Sequence, residues 1–191
     1  DVLLIGEIRD RETAEIAIQA SLTGHLVLST LHTNDAASAV TRLIDIGVAS
    51  YKIATAVKGV LAQRLVRRRC SSCGAAPVSR CRECGGSGFH GRLAIVEVLI
   101  GSPDFERAVA AGETAERLAE IAVREGMRSL WLSGMAHVQA GGTSVDEVRR
   151  VASPDHDASV AELASPTAAA PSMVAEPRFG GEAFELRPDL D

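Results

Sequence analysis

The chain has 191 residues, 46% of them apolar and only 3% aromatic, with 20 basic and 25 acidic residues and a net charge of −5. That suffices for one or two small domains with real cores, and no stretch reaches the roughly 18 uninterrupted apolar residues of a membrane span, because Glu97 breaks even "LAIVEVLI". Eight acidic residues and two arginines follow Ser153, leaving a nearly neutral remainder of 17 acidic and 18 basic residues.

The chain starts at Asp1 inside an apolar run, so it reads as a piece of a longer protein, and such a start gives no basis for judging a signal peptide. Val2 to Ile5 is a continuous apolar run rich in β-branched residues, as expected of a strand buried on both faces of a parallel sheet. "DRETAEIAIQASLTGH" then reads as a helix. Asp10 is its N-cap, Glu12 meets the positive dipole end, Ala14, Ala17, Ile18 and Leu22 share a face, and Gly24 stops it. "HLVLST" is a second strand, and Thr33 or Asn34 is expected to cap the next helix, "DAASAVTRLIDI", which Gly47 closes. Strand, helix, strand, helix is the order of an α/β protein with a parallel pair.

A third helix is expected from Ser50 to Arg69, with Ile53, Val57, Val60 and Leu61 inward and Arg67, Arg68 and Arg69 at its negative end. A cysteine-rich knot, Cys70 to Cys84, and a strand, "GRLAIVEVLI", follow. Asp104 to Arg150 reads as short helices punctuated by Gly112, Gly126, Gly141 and Gly142, with Leu118, Ile121, Ala122 and Glu125 facing neighbours, Trp131 packed and His137 at the surface. From Ser153 the periodicity ends in Pro, Ala, Ser and acids, the composition of a disordered tail.

Two constellations carry chemistry. Parallel βαβ units are right-handed and gather ligands at the carboxyl ends of their strands. Glu7 lies just past the first strand and His32 just past the second, so the two can meet at one sheet edge. A carboxylate there can hold Mg²⁺ or orient an attacking water, and an imidazole can hydrogen-bond a terminal phosphate. The spacing alone equally fits a surface turn in which Arg9 pairs with Glu7 and His32 is a loop histidine.

The second constellation is "CSSCGAAPVSRCREC". It places all four cysteines, Cys70, Cys73, Cys81 and Cys84, in two C-x-x-C pairs, the spacing of a closed tetrahedral Zn²⁺ site of structural type. A redox dithiol or two disulfides are the alternatives, and His90 is not needed as a ligand. Arg64, Arg67, Arg68 and Arg69 stand beside this knot. The neutral balance and scarce aromatics favour a solvated face over a nucleic-acid patch, and no nucleic-acid partner is expected.

"LLIGEIRDRETAEIAIQASLTGHLVLSTLHTNDAASAVTRL" closely resembles the Walker B and histidine-box region of the GspE/PulE-type secretion and pilus-assembly ATPases. "VLAQRLVRRRC", "GMRSL" and "GGTSVDEVRRV" resemble the same family's C-terminal half. The resemblance implies the C-terminal half of a RecA-like P-loop NTPase core over residues 1–69. A tetracysteine zinc element at 70–91, a small helical domain at 92–152 and the tail at 153–191 would follow. It implies ATP, Mg²⁺ and Zn²⁺ as cofactors, with Glu7 polarising the lytic water, His32 sensing the γ-phosphate, Thr30 and Thr33 flanking it, and Arg9 and Asp10 in the Walker B motif. It further implies a homo-hexamer, cytoplasmic and peripheral at the inner membrane, working with a membrane platform protein in type II secretion or type IV pilus assembly. The zinc element would face that platform and neighbouring subunits, although its seven-residue spacer is short for the family.

No G-x-x-x-x-G-K-[ST] phosphate cradle occurs in the 191 residues, and "CGGSGFHGR" lacks the lysine. By the resemblance, the Walker A loop, aspartate box and arginine fingers lie before Asp1. This segment alone is therefore expected neither to bind nor to hydrolyse ATP well.

Overall fold

β1 (Val2–Ile5) and β2 (Leu26–Ser29) pair in parallel, Val2 opposite Leu26 and Ile5 opposite Ser29. The crossover between them is α1 (Arg11–Leu22), capped by Asp10, whose carboxylate accepts the Thr13 N–H at 2.8 Å. Ala14, Ala17 and Ile18 of α1 are buried. Gly24, at φ +97°, takes the left-handed turn that a residue with a Cβ resists and returns the chain into β2. In the computed structural model, residues 1–74 and 79–154 are described, and the tail expected to be disordered lies outside them from residue 155 onward.

α2 (Ala36–Asp45) follows, and its cap is Asp35 rather than Thr33 or Asn34. The Asp35 carboxylate accepts both the N–H and the hydroxyl of Ser38 at 2.8 Å, a closer fit to the first turn than either upstream residue offers.

The expected helix from Ser50 to Arg69 is overturned in its second half. α3 (Ser50–Ala56) ends at Val57, which is extended, and residues 59–69 form β3 (Gly59–Arg69). β3 pairs antiparallel with β4 (Phe89–Ile100) from Gly59 opposite Ile100 to Arg69 opposite Phe89. The apolar residues Val57, Val60 and Leu61 fit a helical stripe, but long-range pairing along a whole hairpin outweighs so weak a local preference. Arg67 and Arg69 consequently complement no helix end. Arg67 makes a two-toothed ion pair with Glu147 (2.6 and 2.8 Å) and lies over the Phe89 ring, and Arg69 donates to the Thr143 carbonyl at 2.8 Å.

The remaining elements are α4 (Pro103–Ala111), α5 (Ala115–Arg124), α6 (Leu130–Gln139) and α7 (Val145–Arg149). Each starts on a Ser or Thr side-chain cap, namely Ser102, Thr114, Ser129 and Ser144. Gly112 and Gly126 terminate the first two pieces in left-handed conformation, as the sequence suggests. Leu118, Ile121, Ala122 and Trp131 are buried, whereas Glu125 faces solvent and accepts from the Ser102 hydroxyl. At Gly134 a Cβ would stand 2.5 Å from Val148, so α6 and α7 approach too closely for any larger residue.

The main core joins Ala14, Ile18, Val40, Leu43, Ile53, Leu99, Phe105, Val109, Leu118 and Ile121. It thus draws on the βαβ unit, the hairpin and the C-terminal helices alike. The strands of the βαβ unit are less buried than expected. Leu4 is 80% exposed and Leu26 58%, because among the described residues only one face of this two-stranded sheet is packed. No helix among the described residues is long and apolar enough to cross a membrane.

Candidate functional site

Past their last paired residues, β1 and β2 stay joined by two further bonds. The Ile8 N–H donates to the Thr30 carbonyl at 3.0 Å, and the Thr30 hydroxyl donates to the Gly6 carbonyl at 2.6 Å. This zipper brings the first residues beyond each strand together. His32 Nε2 lies 2.8 Å from Glu7 Oε1, and Arg9 Nε donates to Glu7 Oε2 at 2.6 Å. Sequence reasoning therefore identified a real cluster. It also identified a real Glu7–Arg9 ion pair, the feature expected of a plain surface turn.

The two oxygens of Glu7 differ. Oε2 is saturated by Arg9, whereas Oε1 is buried, with His32 Nε2 2.8 Å away as its ion-pair partner and no hydrogen bond to it among the described residues. The Arg9 hydrogen bond holds the Glu7 carboxyl below the usual carboxylate range, against a smaller opposing effect of burial and helped by the charges of Arg9 and His32. Glu7 is thus held as a carboxylate between two cationic or potentially cationic partners, Arg9 at one oxygen and His32 at the other. His32 is 87% exposed and free to meet a ligand from the solvent side.

The flanking residues are spent on shape. Thr30 locks the strand ends, the Thr33 hydroxyl donates to the Asp35 carbonyl at 3.2 Å, and Asp10 caps α1. Arg9 is exposed and touches only Glu7 among the contacts described for its side chain.

At the far end of the hairpin the four cysteines converge. Their sulfurs all lie within 4.8 Å of one another, with Cys70 to Cys81 at 3.8 Å and Cys73 to Cys84 at 3.5 Å. A tetrahedron of ~2.3 Å Zn–S bonds places its sulfurs about 3.8 Å apart, so the set fits Zn²⁺ as it stands. Gly74 and Gly85, each directly after the second cysteine of its pair, are left-handed and fold back so that their N–H groups reach the Cys70 and Cys81 carbonyls at 2.9 Å. Burial raises the Cys84 thiol, but the Gly88 N–H, the Cys73 and Cys81 sulfurs and the Gly86 N–H together lower it to about 6. Such a thiol is ready to bind a cation as thiolate.

The sequence signalled neither of two buried carboxylates. Glu147, which anchors Arg67, is held down to about 2, chiefly by its hydrogen bond from Arg67. Glu97 of β4 is 5% exposed. Its only mark in the sequence is the break it makes in an apolar run.

The described residues thus form an α/β unit with an acid and a histidine at the ends of neighbouring parallel strands, joined to a hairpin whose four cysteines could hold a metal ion. The profile of the family described as "Type II/IV secretion system protein" matches residues 1–150, and the chain belongs to that family. It is 48% identical over 156 residues to "Type II secretion system protein HxcR" of Pseudomonas aeruginosa, covering 79% of this chain and 33% of that protein. It is also 43% identical over 172 residues to "Type IV pilus assembly ATPase PilB" of Thermus thermophilus, covering 78% of this chain and 19% of the relative. The chain thus spans about a third or less of these relatives' length. Among solved structures it resembles the pilus retraction motor PilT with bound ADP (TM-score 0.62, 26% identity, 82% of this chain and 40% of that one). The Yersinia pseudotuberculosis ATPase DotB shares the fold at TM-score 0.60 and 22% identity, over 78% of this chain and 36% of that one.

Proposed function

We propose that this chain is the C-terminal part of an ATP-hydrolysing motor subunit of a type II secretion system, driving pseudopilus assembly. The observation that carries the reading is the Glu7–His32 pair, with its one undonated, buried carboxylate oxygen, in a chain of this family. Glu7 would orient the attacking water through Oε1 while Arg9 keeps it ionised, and His32 would reach the γ-phosphate from its exposed position. Magnesium and the phosphate cradle, supplied by a segment outside these 191 residues, would neutralise and hold the triphosphate.

The segments 1–69, 70–91, 92–152 and 153–191 would serve as core half, zinc element, helical domain and tail. Zn²⁺ would be held by Cys70, Cys73, Cys81 and Cys84 in a closed, structural site. The working form would be a homo-hexamer, cytoplasmic and peripheral at the inner membrane, engaging a platform protein there. A type IV pilus assembly role is the second reading, favoured by the likeness to PilB.

The test is steady-state hydrolysis by the purified full-length protein. ATP turnover dependent on Mg²⁺ is expected, together with loss of secretion when the gene is disrupted. A full-length protein that binds zinc but neither binds nor hydrolyses ATP would instead be a zinc-stabilised interaction module.

A further inference from the structure

Glu97 and Arg64 lie on the same face of the β3–β4 hairpin, because Glu97 stands opposite Ala62 and Arg64 opposite Ile95 in the antiparallel register. Neither belongs to the Glu7–His32 cluster, yet both grip the segment that leaves it. Glu97 Oε1 accepts the Ala36 N–H at 2.6 Å, the first N–H of α2, and Oε2 accepts the Leu130 N–H at 3.0 Å, the first N–H of α6. Arg64 Nη2 donates to the Thr33 carbonyl (2.9 Å), the Asn34 carbonyl (3.1 Å) and Asn34 Oδ1 (3.0 Å).

The chemistry fits a clamp. A helix leaves its first N–H groups without partners inside the helix, and its positive end stabilises a negative charge. The side-chain caps Asp35 and Ser129 are spent on N–H groups further into their helices, at Ser38 and Leu132. One buried carboxylate therefore serves the first N–H of two helices and holds them at a fixed separation. Thr33, Asn34 and Ala36 lie one, two and four residues after His32, so the stretch after the histidine is fastened to the hairpin at three backbone groups, the Thr33 and Asn34 carbonyls and the Ala36 N–H.

We propose that Glu97 and Arg64 are positioning residues for His32. They fix the loop carrying the imidazole to the hairpin and, through α6, to the C-terminal helices, so that a shift of His32 on meeting phosphate moves these parts as one body. This rests on the ATPase reading above.

The experiment is a mutant cycle in the full-length protein, measuring kcat and KM for ATP. Glu97→Gln presents an N–H₂ where one helix N–H needs an acceptor, and Arg64→Ala removes the grip on Thr33 and Asn34 without opening the core. Each should lower kcat about tenfold with KM changed less than about twofold, as expected when a charged group's hydrogen bonds that hold the His32 loop in place are lost. In a His32→Ala background the same substitutions should cost less than about twofold, because the residue they position is gone.

An active wild type whose kcat is unmoved by both substitutions overturns the proposal. So does an equal loss with and without His32, which marks a merely structural role. If Glu97→Gln fails to fold, Arg64→Ala alone decides by the same criteria. A wild-type protein that hydrolyses no ATP overturns the reading of function, and this inference with it.

Discussion

The cysteine knot and the Glu7–His32 edge are built on opposite principles. The knot is contained within fifteen residues, with four sulfurs within 4.8 Å of one another and two left-handed glycines whose N–H groups close back onto the Cys70 and Cys81 carbonyls. The edge brings Glu7 and His32 together from strands paired across a crossover and leaves one Glu7 oxygen without a hydrogen bond. A closed site spends its binding capacity on folding, whereas an open one keeps an unsatisfied position for a substrate to complete. The difference predicts how each responds to damage.

The largest effect is expected at the knot. Purified chain should contain about one zinc per molecule, and its removal, or Cys73→Ser with Cys84→Ser, should disorder the far end of the hairpin. Structural zinc supplies on the order of 10 kcal/mol to such elements, so thermal unfolding and amide exchange in β3 and β4 should both register the loss. Zinc content far below one per chain, with the hairpin intact, would remove the contrast.

At the open edge, His32→Ala should leave folding untouched, because the side chain is exposed, and should lower turnover in the full-length protein by roughly 100-fold, the cost of losing one transition-state donor. Thermal unfolding of the two proteins should coincide.

Glu147 tests a third situation, a buried charge that is fully paired. Its replacement by Gln should destabilise the chain by about 2 kcal/mol, since the charge is lost and one of the two Arg67 N–H donors would face an amide NH₂ instead of an acceptor. The folded-state value, about 2, lies below the ordinary 4.5, so the stabilisation is complete above the unfolded carboxyl's range and fades as pH falls toward 2. Acid unfolding of Glu147→Gln should therefore be shallower than that of the wild type between pH 4.5 and 2. The smallest effect is expected at Asp10, where Ala removes a helix cap worth about 1 kcal/mol and leaves the chemistry alone.

Much of this architecture was legible in the sequence because the signals were local. Asp10 and Gly24 bracket α1 by capping rules, the C-x-x-C pairs declare their site by spacing, and Glu7 and His32 follow strands whose parallel pairing the order of elements dictates. What stayed hidden depended on long-range pairing. Residues 59–69 read as helix until Phe89–Ile100 pairs with them, and the arginines there acquire their partners, Glu147 and Thr143, only once α7 and the loop before it pack against the hairpin. Glu97 in an apolar strand looks like an interruption, and two helix N-termini must arrive before it becomes a clamp. Exposure of Leu4 and Leu26 could not be read from composition either, because a buried strand and one awaiting a covering layer have the same residues.

The most direct test is Glu7→Gln in the full-length protein, with ATP binding and hydrolysis measured side by side. Gln keeps the shape of the side chain but loses the charge that makes Oε1 a strong acceptor for water. Turnover should fall at least 100-fold, in the range general-base loss costs, while ATP affinity stays within a few-fold of the wild type. Undiminished hydrolysis would contradict the account, because the undonated oxygen at the sheet edge would then have no part in the chemistry.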